Sequence, residues 1–410
     1  MRRLTARRAG GLPYREPSPR RPSVAMLAAG LVAVLLVVVA VVAWWPEDRS
    51  TAPPTGSSAP RASRPLTDPA TLQQQLDGVV EAGTPGVVGL VRAGERTWQG
   101  ASGLGDLGAD RPARAGDRFR IGSVTKSFVA ALVLQLVGEG RLGLDDNLER
   151  WLPGLVPGGN KLTVRQLLNH TSGLYNYTDD LPQPPRRLRP RELVAITTGH
   201  KPLFAPGREF SYSNTNYILA GLVVERVTGQ ALADQLHQRI LQPLRLDDTE
   251  LPTTQRALGG PHARGYSPPD EDWRVSDGPA RLVDVTEMDT SWAWAAGAMV
   301  STTADLARFY QALLGGQLLT PELLTQMRTT VDASQAGHGT RYGLGLEVLR
   351  PGCGVELWGH GGSLEGYGTT AFSTPDADRQ LIVAINLQPE PEPGAAAAAV
   401  ENMLRREVAC

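Results

Sequence analysis

Apolar positions cluster unevenly along this chain. Residues 24–45 are 22 consecutive positions without a charge. About 20 apolar residues wound as a helix span the hydrocarbon core of a bilayer, so the run predicts a transmembrane helix. The alternative is a secretory signal cleaved near Val41, Val42 and Ala43, whose apolar part would be shorter than this one. Trp44 and Trp45 stand where an interfacial aromatic belt would, and Glu47 and Asp48 follow. Residues 46–65 are rich in Pro, Ser, Thr and Ala without hydrophobic periodicity, which predicts an extended linker. From residue 66 the pattern becomes globular. The expected organisation is a basic tail over 1–23, an anchor over 24–45, a linker over 46–65 and a single domain over 66–410.

Within that domain, Leu72, Leu76, Val79 and Val80 have helical spacing and predict a helix over 72–82. Apolar or alternating runs at 86–93 and 96–102, around Gly94, predict a hairpin. Residues 123–138 are apolar on nearly every side, so they predict a central, buried helix. The stretch 140–300 keeps helical periodicity, clearest at 164–169 and 216–227. Alternating or β-branched runs return at 341–348, 355–359, 367–373 and 379–386, and 395–406 closes the chain as a helix. Strands at both ends with helices between predict a mixed α/β (α+β) fold, an antiparallel sheet flanked by helices with an inserted all-α subdomain.

Composition narrows the function. With 410 residues, 41% hydrophobic and 20% charged, the chain can bury a core. Its formal net charge of -1 argues against a nucleic-acid partner. That balance hides an asymmetry. Removing residues 1–23, with seven Arg and one acid, from the chain's 41 basic and 42 acidic residues leaves 34 and 41, a net charge of -7. The basic segment before the apolar run predicts an N-terminus inside the cell and a domain outside it. Only three of the basic residues are Lys: Lys126, Lys161 and Lys201.

Three short motifs carry chemistry. Ser123-x-x-Lys126 opens the apolar helix, and a spacing of three puts both side chains on one helical face. A serine hydroxyl needs a neighbouring base to become a nucleophile, and a lysine becomes that base when desolvation lowers its pKa. The helix N-terminus offers N–H groups to a developing oxyanion. Tyr212-x-Asn214 precedes the 216–227 helix. A tyrosine beside a cationic lysine is a candidate general acid or base through its stabilised phenolate, and an Asn amide can fix the lysine. His360-Gly361-Gly362-Ser363 follows the 355–359 strand, where glycines let a substrate backbone approach the sheet edge.

The order Ser-x-x-Lys, Tyr-x-Asn, His-x-Gly resembles the serine penicillin-recognising hydrolases: class C β-lactamases, related esterases and D-alanyl-D-alanine carboxypeptidases. The resemblance extends to Leu167-Leu-Asn-His-Thr-Ser-Gly173, Ala296-Gly-Ala-Met299 and Tyr342-Gly-Leu-Gly-Leu346, and is greatest toward the carboxypeptidases. It implies that Ser123 is acylated, that Lys126 and Tyr212 share the proton transfers, and that Asn214 positions Lys126 and the substrate amide. It further implies that His360 assists near the leaving group, that the Ser123 and Ser363 N–H groups bind the oxyanion, and that Trp292 walls the cleft. No cofactor or metal is implied. Two positions depart from the carboxypeptidase pattern. Gly361 stands where it has a Thr, and Glu347 where it has an Arg for the substrate's terminal carboxylate, a role that Arg350 would have to take over.

Other features carry less. Gly103-x-Gly105-x-x-Gly108 lacks the following helix a dinucleotide fingerprint needs and predicts a turn. His170 is expected to be structural. Cys353 and Cys410, the only cysteines, predict a disulfide outside the membrane, although their spacing equally allows two free thiols. The expected function is a membrane-anchored serine hydrolase, a D-alanyl-D-alanine carboxypeptidase acting on cell-wall peptides and acylated by β-lactams. The alternatives are an esterase or D-amino-acid amidase on the same scaffold, and an idle binding sensor.

Overall fold

The computed structural model of the chain describes residues 64–181, 187–252, 256–269, 282–334, 340–390 and 394–410. The expected anchor and nearly all of the expected linker lie outside the described residues. Among the described residues no helix is long and apolar enough to cross a membrane.

Helix α1 (Pro69–Glu81) starts on Asp68, whose carboxylate accepts the Thr71 N–H, with Pro69 pre-set for the first turn. It leads into the hairpin β1 (Gly86–Ala93) and β2 (Arg96–Asp106), closed at Gly94 with Ala93 paired to Arg96. β2 carries Gly103 and Gly105 within the strand, with a shift of register between Leu104 and Asp106 where it pairs with β3 (Arg111–Pro112); the expected turn is confined to 107–110, and no helix follows it. After a long helical insertion come β4 (Val331–Asp332), β5 (Arg341–Tyr342), β6 (Glu347–Leu349), β7 (Leu357–Leu364), β8 (Tyr367–Ser373) and β9 (Arg379–Ile385). Together they form one antiparallel sheet in the order β3-β2-β1-β9-β8-β7-β6-β5-β4.

The central strands β1 and β9 are buried on both faces, so each reads as a continuous apolar run rather than an alternating one. On one face Val87, Val91, Leu381 and Val383 pack with Leu72, Leu76 and Val79 of α1 and with the C-terminal helix. Gly89 faces Leu76 and leaves room for it. On the other face Val88, Leu90, Ile382 and Ala384 pack with the inserted helices, α2 (Thr125–Gly138), α3 (Asn214–Thr228) and α4 (Thr303–Leu314) among them. α2 is buried almost throughout. The chain closes with α5 (Ala395–Leu404) and a wider final turn, Arg405–Ala409. A disulfide joins Cys353, in the β6–β7 connection, to Cys410, with Cα atoms 5.6 Å apart.

Two local departures from the sequence reading shape the site. The helix expected from residue 123 begins at Thr125, and Gly122–Val124 forms a tighter turn before it. Gly122 sits at φ +50°, pressed against the Ser363 backbone. The strand expected over 355–359 runs on to Leu364, so His360, Gly361, Gly362 and Ser363 lie within β7 rather than after it.

Candidate active site

Ser123 is held at the junction of the helical layer and the sheet. Ile121 donates its N–H to the Met299 carbonyl at 3.0 Å. On the other side, β7 lies so close that a Cβ on Gly122 or Gly362 would collide with backbone. Beyond the pair Glu347–Gly359, the edge of β7 has no partner strand among the described residues, and that edge faces the nucleophile turn. The cleft therefore has a partly exposed serine at the mouth of α2 and a free strand edge beside it. The Ser363 backbone lies against Gly122, next to Ser123.

Lys126, the second residue of α2, is wholly buried. Its Nζ lies 3.0 Å from Ser123 Oγ, 2.8 Å from Asn214 Oδ1 and 2.7 Å from the Ala296 carbonyl oxygen. Burial pushes its pKa well below the ordinary lysine value, against an opposing pull from the Glu347 charge. A neutral amine has two N–H donors and one lone pair. The donors satisfy Asn214 and Ala296, which leaves the lone pair for the Ser123 hydroxyl. Asn214 is braced in turn: its N–H donates to Asn176 Oδ1 at 2.9 Å, and its amide reaches Thr178 Oγ1 at 3.4 Å.

Tyr212 completes the group. Its ring centre is 4.8 Å from Lys126 Nζ, and its hydroxyl hydrogen-bonds the Ser123 side chain. Burial pushes the phenol pKa well above the ordinary tyrosine value, and the Ser123 hydrogen bond offsets only part of this. That direction runs against a phenolate beside Lys126. The two shifts run in opposite directions, favouring a neutral amine beside a protonated phenol, a pairing of one base with one acid.

His360 is only 1% exposed. Its Nε2 lies 2.9 Å from the Tyr342 hydroxyl, its Nδ1 2.5 Å from the Gly361 carbonyl and 3.7 Å from Glu347 Oε1. The ring thus braces the wall from within the sheet, its centre 6.4 Å from that of Tyr212. Glu347 is buried as well and accepts the Gly361 N–H at 2.9 Å. A Cβ at Gly361 would stand 3.5 Å from the same carboxylate oxygen. Arg350 does not stand in for the missing cation, since it is committed to Glu356 at the exposed end of β6. Trp292 is half-buried, and its carbonyl accepts from Tyr177 four residues ahead of Ala296. The sequence reading missed the Ala296 carbonyl, Thr178, Tyr342 and the contacts of His170. Carbonyl acceptors leave no residue signature, and the others are assembled from distant segments.

The Beta-lactamase family model matches residues 70–403. The chain belongs to the Beta-lactamase family. Members of this Beta-lactamase family are serine hydrolases, in accord with the convergence of Ser123, Lys126 and Tyr212. A solved D-stereospecific amidohydrolase from Streptomyces sp. superposes with a TM-score of 0.74 at 39% identity, covering 83% of this chain and 98% of its own. A penicillin-binding protein of Bacillus subtilis (strain 168) is 26% identical over 75% of this chain and 69% of its own length. A D-aminopeptidase of Cereibacter sphaeroides is 28% identical over 77% of this chain, which spans only 59% of that relative. The antiparallel sheet with its helical layers is thus the Beta-lactamase fold.

Proposed function

We propose that this serine hydrolase is an amidase or aminopeptidase of small D-amino-acid amides and peptides, whose leaving group carries no free carboxylate. The observation that carries this reading is Glu347. It places a buried carboxylate beside Gly361 in the leaving-group wall, and Arg350, the residue that would have to supply the missing cation, is bound to Glu356. A terminal carboxylate entering there would meet a like charge. The D-stereospecific amidohydrolase and the D-aminopeptidase among the relatives support the substrate class.

In the cycle, neutral Lys126 takes the Ser123 proton as Oγ attacks the carbonyl carbon. The Ser123 and Ser363 N–H groups receive the oxyanion. Tyr212 gives its proton to the departing nitrogen and is reprotonated from Lys126, which leaves an acyl-Ser123 and a free amine. Water then attacks the acyl carbon, neutral Lys126 takes its proton, and that proton is returned to Ser123 Oγ as the acid departs.

The second reading is the carboxypeptidase, supported by the penicillin-binding relative. Turnover of D-phenylalanine amide, a short-chain ester and an acylated D-Ala-D-Ala peptide decides between them. Preferential cleavage of the D-Ala-D-Ala bond overturns the amidase reading, and failure of a labelled penicillin to modify Ser123 counts against the carboxypeptidase. We further read residues 24–45 as an anchor that holds the domain outside the cell membrane; recovery of full-length protein in the membrane fraction tests it.

A further inference from the structure

His170 lies on the loop after the short helix Val164–Leu168, fully buried and at φ +59°, a left-handed conformation rarely adopted by a residue with a side chain. Three of its contacts fall on Tyr212 and the residues on either side of it. Its carbonyl accepts the Ser211 N–H at 3.0 Å. Its Nδ1 accepts the Ser213 N–H at 3.2 Å. Between those two anchors stands Tyr212, and the His170 ring stacks on the Tyr212 ring with centres 4.2 Å apart and planes inclined by 28°. The backbone is thus gripped immediately before and after Tyr212, and the ring is backed between the grips.

We propose that His170 is a positioning residue that holds the Tyr212 phenol against Ser123. The inference rests on the reading of Tyr212 as proton donor to the leaving group. Nδ1 also lies 3.1 Å from Asn216 Nδ2, so it acts as an acceptor and the ring proton sits on Nε2. Tyr342 meets the His170 ring edge-on at 4.9 Å, and its hydroxyl reaches His360. The support behind Tyr212 therefore continues into the β7 wall. A proton donor displaced by about 1 Å loses on the order of a hundredfold in rate. Tyr212 precedes α3 on an irregular segment, and no regular ladder fixes its backbone.

Leaving-group dependence separates positioning from bulk structure. An amide nitrogen must be protonated to depart, whereas a nitrophenolate leaves unaided. The probes are D-phenylalanine p-nitroanilide and p-nitrophenyl acetate. For His170→Ala we expect kcat on the anilide to fall roughly 10- to 100-fold, KM to change less than about threefold, and kcat on the ester to change less than about threefold. In a Tyr212→Phe background the same substitution should add less than about threefold. Asn tolerates the left-handed conformation and keeps a side-chain acceptor for Ser213, so His170→Asn should recover part of the anilide rate. It also decides the matter alone if His170→Ala does not fold, because loss of the stack should still lower anilide turnover more than ester turnover. Equal losses on both probes, or full additivity with Tyr212→Phe, overturn the assignment. If Tyr212→Phe by itself leaves anilide turnover unchanged, the underlying reading of Tyr212 fails, and the two failures are told apart by that single variant.

Discussion

The Cβ that Gly362 lacks would fall 2.1 Å from the carbonyl oxygen of Ile121. The sheet edge and the nucleophile turn meet there backbone to backbone. Gly362→Ala forces one of them to move by more than a rotamer change. We expect the folded variant to lose roughly a hundredfold in kcat, the scale of a misplacement of about 1 Å. Burst kinetics on an activated ester measure it, and an unchanged acylation rate would show that the gap between β7 and Ser123 is not critical.

Ser123→Ala removes the only atom that can carry the acyl group. Loss of at least about 10⁴-fold in turnover is expected, together with loss of any penicillin adduct. Mass spectrometry of the intact protein reads the adduct directly.

The pH profile should report Lys126. Its pKa is lowered by burial, that of Tyr212 is raised by burial, and the active state has the first neutral and the second protonated. The value of kcat/KM therefore rises with pH through the lowered Lys126 pKa and falls only in strong alkali as Tyr212 ionises. Lys126→Arg keeps the charge and cannot give up its proton, so it should lower the rate by roughly 10²- to 10⁴-fold and remove the rising limb. A rising limb retained in that variant would belong to another group.

The same shift sets a stability slope. Folded Lys126 binds its proton more weakly than an unfolded lysine. Between the folded value and the ordinary value of about 10.4, the unfolded state holds more protons, so stability rises with pH across that window. Below the folded value the full cost is present. Lys126→Met should flatten the rise, although it strands the Ala296 carbonyl and the Asn214 amide oxygen at about 1–3 kcal/mol each. Urea midpoints taken across the window test the slope.

Glu347→Gln removes the charge without changing the shape. Turnover of a carboxylate-terminated peptide relative to the matching amide should rise on the order of tenfold, the size of one partly screened like-charge contact. A ratio that does not move would leave the amidase reading without its main support.

Much of the site was legible because its chemistry is carried by residue types at short spacings. Ser123 and Lys126 are three apart, and Tyr212 and Asn214 two apart. The contact between Lys126 and Asn214, 88 positions apart in sequence, followed once the motifs were taken together. The hairpin at Gly94 and the helix α1 were legible from period alone. What the pattern hid depends on distant partners. Nothing local says that β7 continues through two glycines, because those glycines answer to Ile121 and the Ser123 turn. Nothing local says that His360 turns inward, because Tyr342 and Glu347 sit on neighbouring strands. The fate of Arg350 likewise depends on Glu356 across the strand pair.

Glu407, buried in the final turn, accepts Thr67 Oγ1 at 2.6 Å and Gln75 Nε2 at 3.0 Å, while Arg379 holds both the Glu407 and Arg64 carbonyls. The first and last described residues thus share one corner, on the α1 side of the sheet, with the helical layer and Ser123 on the other. The described chain therefore begins and ends across the sheet from the catalytic gap, and a load applied at that corner is borne by the rear layer rather than by Ser123.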